Sequence, residues 1–331
     1  MFVDVDNALK SNISEETGVD SNKHSKTISS NYLKGLQLRH FLLYDVLPGV
    51  GSAIAIGLLW LQPISLIEIS LLVGMWVLTG IGVTVGFHRH FTHRSFQTST
   101  PIRVLLTILG SMAAQGPLTS WVALHRRHHE YSDRPEDPHS PRLHGEGIWG
   151  RIRGLWHSHF SWMMAHEYPN IVHYAPDILR DKAVMKTSRL YSVWILLGLV
   201  IPAILGGVLS GTLQGAGLGF LWGGVVRIFL VGNTVWAINS FGHVYGSRPF
   251  KTSEYSTNNV WLAVSSLGES WHNNHHAFQS SAKFGLWWWQ IDFGYWVIRG
   301  LEILGLAWDV KAPTPKMIEA RLKPSSQSQQ M

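Results

Sequence analysis

The chain contains no cysteine. That excludes a disulfide framework, a thiolate metal site and an iron–sulfur cluster held by its own thiols, so any metal must rest on nitrogen and oxygen ligands. Charge is also scarce, at 15% of 331 residues, against about 25% for an ordinary soluble domain. The net charge of +6 comes without a basic run interleaved with aromatics, so nucleic acid is not an expected partner. No Gly-rich phosphate loop or dinucleotide fingerprint stands out, which argues against a nucleotide bound by the chain itself. Nor does the chain begin with a basic segment leading into a short apolar one, so no cleaved signal peptide is expected.

Apolar residues and tryptophan are abundant. The chain is 46% hydrophobic and holds 16 tryptophans, a composition that suits a membrane interface. Apolar stretches fall at about 46–61, 64–87, 191–209 and 218–238, each close to the roughly 20 residues that cross a bilayer. A further stretch, 104–124, is interrupted by Gln115, Gly116 and Pro117 and reads as two short interfacial helices. No Lys or Arg occurs between Arg39 and Arg89, or between Arg189 and Arg227. The positive-inside rule then puts both tails and the large central region on the cytoplasmic side. The expected fold is an all-α, multi-pass membrane protein. Four transmembrane helices form two hairpins under a cytoplasmic helical cap, made of residues 89–190 and 239–312. Residues 1–35 and 313–331 read as polar tails flanking a membrane domain at 36–312.

The chemistry lies in the histidines. His125-Arg126-Arg127-His128-His129 and His272-Asn273-Asn274-His275-His276 each place imidazoles at i, i+3 and i+4, which share one helix face. His88 and His93 follow the second span, and His243 follows the fourth, so all emerge on one membrane face. Nine imidazoles exceed one ion's coordination shell and imply two ions. Ligation by imidazole without thiolate suits Fe, Zn, Cu or Ni. His90 is a second choice for the first group. His139, His144, His157, His159, His166 and His173 read as structural, since a lone histidine near a membrane end is more often an interface residue. Asp133, Asp137, Glu254 and Glu269 are candidate acceptors for the outward ring N–H groups.

Rival motifs fail. His129-Glu130 and His166-Glu167 begin like HExxH but end at Asp133 and Asn170, so the zinc-protease pattern is absent. Glu269 and His272 have the spacing of a carboxylate di-iron helix, but Glu136 and His139 are interrupted by Pro138. A membrane metal-binding or transport protein is the reading from a different class. It predicts ligands inside the spans, where few polar residues beyond Arg227, Asn233 and Gln115 occur.

Three segments carry a resemblance to the membrane fatty acid desaturase family. They are Gly86-Phe87-His88-Arg89-His90-Phe91-Thr92-His93, then His125-Arg126-Arg127-His128-His129 through Asp137-Pro138-His139, and Gly268-Glu269-Ser270-Trp271-His272-Asn273-Asn274-His275-His276. The likeness spans about residues 40–312 and is to the Δ9 branch. It implies a non-haem di-iron centre that uses O2 and two electrons to place a cis double bond in a saturated acyl chain. Asn239-Ser240-Phe241-Gly242-His243 is similar to the family's Asn-Ser-x-x-His segment, which implies His243 as the ninth ligand and Asn239 as a partner through water. The animal acyl-CoA branch has an Arg-Asp pair before its second box, where this chain has Ala123 and Leu124. The likeness is therefore to the bacterial and cyanobacterial acyl-lipid type rather than to acyl-CoA enzymes. A hydroxylase or ketolase on the same scaffold is the alternative within the class. With no fused electron-carrier domain, a separate donor such as ferredoxin or cytochrome b5 is implied, and surface Arg and Lys suit docking of an acidic carrier.

Overall fold

The computed structural model describes residues 25–165 and 167–323. Four helices are long and apolar enough to cross a membrane: Asn31–Leu58, Leu66–Thr92, Tyr191–Ser210 and Leu213–His243. They mark an integral membrane protein in which each pair of spans is joined by a short turn; the third and fourth pack directly on one another, and the first and second each pack on the fourth. Each pair begins or turns on a local signal. Ser65 and Glu68 form a capping box at the start of the second span, with the Ser65 N–H donating to Glu68 Oε2 at 2.7 Å. Glu68, the one acid in that apolar run, therefore closes a helix end rather than interrupting the helix. The second pair turns on Gly211, at φ +68, and Thr212, whose Oγ1 accepts from the Gly215 N–H at 2.9 Å.

The helices outrun the apolar stretches. The first begins at Asn31 rather than near 46, because Ser30 caps it and nothing breaks the polar turns that follow. The fourth runs from Leu213 to His243 rather than from 218 to 238. Hydropathy marks only the part of a helix that must be apolar. The stretch at 104–124 does divide as expected, into Thr100–Met112 and Leu118–Tyr131. The first of these lies against the second span so closely that a Cβ on Gly82 would sit 2.1 Å from the Gly110 nitrogen.

The cap combines helices with long irregular stretches, at about 132–146, 244–271 and 278–292, and two small strand pairings lie on it. Thr27–Ile28 pairs antiparallel with Tyr168–Pro169, and Gln97–Thr98 with Ala307–Trp308. The first pairing draws in residues expected to belong to a polar tail. At the other end, Pro315–Arg321 is a helix, and Leu322 bridges to Phe250. Both tails are thus shorter than composition suggests. What remains of them, 1–24 and 324–331, lies outside the described residues, as does His166.

Between apolar spans there is little hydrophobic drive to associate, so close packing and internal polar satisfaction carry the contact. Gly215, Gly219, Gly223 and Arg227 stand four apart on one face of the fourth span, toward the third. A Cβ on Gly219 would meet the Pro202 oxygen at 2.2 Å. Pro202 lies inside the third span and has no N–H to give the Gly198 carbonyl one turn earlier. Arg227, fully buried, supplies it: Nη2 donates to Gly198 O at 2.8 Å, Nη1 to Met112 O at the end of the interfacial helix, and Nε to Gly223 O at 3.3 Å. A charge within a span is thus held by backbone carbonyls, one of which Pro202 leaves without its helical donor.

Candidate metal centre

His88 and His93 are five residues apart, a spacing that does not share a face on an α-helix. The second span solves this by widening to a π-helix over Gly82–Thr92, and the His93 N–H bonds the His88 carbonyl at 3.1 Å. That i to i+5 step brings the two rings to one side, with centroids 4.8 Å apart. Widened turns of this kind are rare and gather at functional sites. The second and third boxes are ordinary helical turns, within Leu118–Tyr131 and His272–Ala277. His243 ends the fourth span.

The nine imidazoles form two clusters. His88, His93, His125, His129 and His275 make one, and His128, His243, His272 and His276 the other, with the candidate ligand atoms of each within 4.8 Å of one another. The second and third boxes are split between the clusters, so His128 and His129 face different sites. Three of the four carboxylates expected as outer partners hydrogen-bond a ring of the clusters, and the fourth stands farther off. Asp137 accepts from His128 Nδ1 at 3.0 Å, Asp133 from His243 Nδ1 at 2.9 Å, and Glu269 from His88 Nδ1. Glu254 lies 3.7 Å from His276 Nδ1. Such pairs fix the ring and turn Nε2 inward.

Burial alone would raise the carboxyl groups, but the imidazoles and hydrogen bonds reverse it. Asp133 is held at about 2 by His243 and Ser140, and Asp137 well below its ordinary value by His128 and His139. Burial pushes His93, His125, His129, His272, His275 and His276 well below the ordinary imidazole value. These rings are neutral at physiological pH, as metal ligands must be.

The arginines inside the boxes, which sequence reasoning passed over, tie the boxes together. Arg126 donates to Phe91 O at 2.7 Å, Thr92 O at 3.2 Å and Tyr174 O at 2.8 Å, and pairs with Asp177 at 2.7 Å. It thereby fastens the second box to the first. Arg89 fastens the first to the third, reaching Glu269 at 3.1 Å and Asp292 at 2.8 Å. Asn273 and Asn274 brace the third box, accepting from the Phe250 N–H at 2.9 Å and donating to Phe284 O at 2.8 Å respectively. The only available signal was an arginine directly beside a ligand histidine.

The Asp177 clamp makes stability depend on acid. Burial raises its carboxyl, but Arg126 and Arg94 lower it further, from the ordinary 3.8 to about 2. The stabilisation is present above the ordinary value and is lost as pH falls through about 2. Asp177→Asn should therefore unfold at lower denaturant than the parent at pH 6, and the gap should close as pH approaches 2. A constant gap would show that this pair contributes nothing titratable.

The donor set fits a pair of metal ions. His129 Nε2 faces both His125 Nε2 and His275 Nε2 at 3.0 Å, and His272 Nε2 faces His243 Nε2 at 3.0 Å and His276 Nε2 at 3.1 Å. One ring nitrogen cannot satisfy two others by sharing protons. The Nε2 atoms of His88, His93 and His128 are buried and have no hydrogen-bond partner. A cation satisfies them all at once. Two nitrogens about 2.1 Å from one ion at right angles lie roughly 3.0 Å apart. Asp137→Asn, which keeps the candidate ligand His128 but replaces its charged outer acceptor with a neutral amide, should cost about 10–100-fold in metal affinity or activity, measured by metal retention against a chelator.

An apolar cavity of about 420 Å³ leads to this centre. It runs from Leu36, Arg39 and Tyr44 on the first span, past Trp76 and Val83, to His88, His125 and His272. Asn239 lines it one turn before His243, half-buried. His90 belongs to neither cluster; its Nδ1 lies 3.2 Å from Phe96 O. His139 joins His128 at Asp137. His159 bonds Ser240 at 2.9 Å, His157 lies 3.2 Å from Pro138 O, and His144 packs on His157.

A model of the fatty acid desaturases matches residues 60–305. The chain belongs to the fatty acid desaturase family. This desaturase-family oxidoreductase is 60% identical over 299 residues to a hex-5-enoyl-[acyl-carrier protein] acetylenase of Moorena producens, covering 90% of the chain and 93% of the relative. It is 38% identical over 244 residues to the sn-1 stearoyl-lipid 9-desaturase of Synechocystis, at 72% and 70% coverage. To the Delta-9 acyl-lipid desaturase 1 of Arabidopsis thaliana it is 37% identical over 277 residues, at 82% and 84% coverage. The histidine clusters are thus consistent with the di-metal site typical of that family.

Proposed function

We propose that this chain is an O2-dependent acyl desaturase that holds two irons in its nine imidazoles, with Asn239 reaching one of them through water. One observation carries the reading. Two buried imidazole clusters with inward, partnerless nitrogens stand at the end of an apolar cavity. Bound there, iron would supply the activated-oxygen chemistry that an unactivated methylene requires and that no side chain provides. The balance is two hydrogens from the chain, O2, two electrons and two protons, giving a new π bond and two waters.

The chain's own residues do the rest. Trp76, Val83 and Trp121 line the cavity and would fix which carbons face the clusters, which is catalysis by position. Asp133, Asp137 and Glu269 hold the ligand rings in one tautomer. The distribution of Lys and Arg supports placing the tails and the cap on the cytoplasmic side.

The relatives support a reading of the acyl carrier. The 60% identical relative is named for a hex-5-enoyl group on acyl-carrier protein, and this favours a protein-bound acyl chain as substrate over the glycerolipid expected from sequence. An alkyne from an alkene needs the same removal of two hydrogens. Δ9 desaturation of an acyl-lipid is the second reading, supported by the relatives at 37–38% identity. The test is expression in a desaturase-deficient host supplied with acyl-carrier protein, with unsaturation mapped by gas chromatography–mass spectrometry. Products confined to the carrier-protein pool support the first reading, and Δ9 products in glycerolipid support the second. A hydroxylated product, or none with iron bound, contradicts both.

A further inference from the structure

The two clusters are reached from two sides. The apolar cavity meets them at His88, His125 and His272. A second opening, of about 450 Å³, meets them at His129 and His276, which belong one to each cluster. Its character is different. Exposed cations stand around it: Arg134 just after the second box, Lys251, and Arg321 and Lys323 on the C-terminal segment. Two carboxylates line it, fewer than the cations. Glu130 pairs with Lys26 and accepts from Tyr174 at 3.0 Å, and Glu254 accepts from Ser256 Oγ at 2.9 Å beside His276. Arg321 donates to Ala277 O and stacks on Phe278 at 4.9 Å. Arg134, Lys251 and Lys323 make no ion pair among the described residues. Net positive charge therefore surrounds an opening whose floor is two ligand imidazoles.

We propose that this basic opening is the docking site of the separate electron donor, and that the donor is an acidic one-electron carrier protein. The inference rests on the di-iron reading. Each turnover draws two electrons, given one at a time by a donor that is oxidised in step, and the chain has no cysteine with which to bind an iron–sulfur relay of its own. The apolar cavity is the acyl chain's route, so the donor needs another face. This one ends on a ring from each cluster. An uncompensated basic rim speeds encounter with an acidic protein and orients it. The C-terminal segment belongs to the docking surface because Leu322 bridges to Phe250 and the Lys323 N–H bonds Pro249 O at 2.9 Å, which holds both of its cations in place.

The test uses the full-length chain in lipid nanodiscs with reduced plant-type ferredoxin as the probe. Lys251→Glu with Lys323→Glu should raise the KM for ferredoxin by about tenfold or more with kcat little changed, and should flatten the fall of rate with salt. Lys186→Glu, an exposed control elsewhere on the cap, should move neither. Iron content and the product of a single turnover begun with dithionite separate this proposal from the reading beneath it. A parent chain without iron fails that reading and takes the proposal with it. Parent and variant that both hold iron and turn over with dithionite, but share one KM for ferredoxin, overturn docking alone. Loss of binding to anionic vesicles at unchanged KM overturns it too, and makes the rim a lipid contact. If the charge-reversed pair does not fold, Lys251→Gln with Lys323→Gln carries the same test, with a smaller rise expected and an unchanged KM again overturning it.

Discussion

Replacing His275 with alanine should remove desaturation and part of the metal together, while leaving the chain folded. His275 Nε2 faces His129 Nε2 at 3.0 Å, and its ring lies 4.6 Å from those of both His88 and His93. It is the third box's contribution to the five-imidazole cluster. Its loss opens that cluster on one side, and activity should fall by more than about a hundredfold, beyond what loss of an outer partner costs. The spans and the second cluster do not depend on it. His90→Ala is the matching control, since His90 faces Phe96 and belongs to neither cluster; it should keep its iron. Full turnover in the His275 variant would remove that residue from the ligand set.

The second large effect is on stability. Arg227→Met should destabilise the membrane domain by about 1–3 kcal/mol for each buried carbonyl left without a donor, namely Gly198 O and Met112 O. Because the Gly198 carbonyl is free only through Pro202, adding Pro202→Ala should restore a backbone donor and recover part of the loss. Denaturant midpoints in detergent measure both. An Arg227→Met chain as stable as its parent would show that water or lipid satisfies these groups, and no recovery by Pro202→Ala would break the link between the two residues.

Much of this architecture is legible in the residues. Four spans in two turn-joined pairs follow from apolar runs separated by turn residues, and the convergence of the histidines follows from i, i+3, i+4 spacing. The break at Gln115-Gly116-Pro117 and the outer role of Asp133, Asp137 and Glu269 are legible for similar reasons. Other features are not. Hydropathy sees only lipid-facing length, so the start of the first span at Asn31 and the strand at Thr27–Ile28 escape it. The widened turn at Gly82–Thr92 has no local signature. The division of neighbouring His128 and His129 between clusters depends on where the third box packs. Arg89 and Arg126 acquire a role only once the fold surrounds them. Specificity is the least legible, since the boxes encode the reaction while cavity shape encodes the substrate.

The proposed chemistry stands on nine imidazoles binding two irons. Metal quantification with Mössbauer spectroscopy on the full-length chain, purified with iron-57, decides this. About two high-spin irons per chain in nitrogen-rich sites are expected, falling to about one or fewer in the His275→Ala variant. A single iron per chain, or zinc retained without O2 consumption, would contradict it.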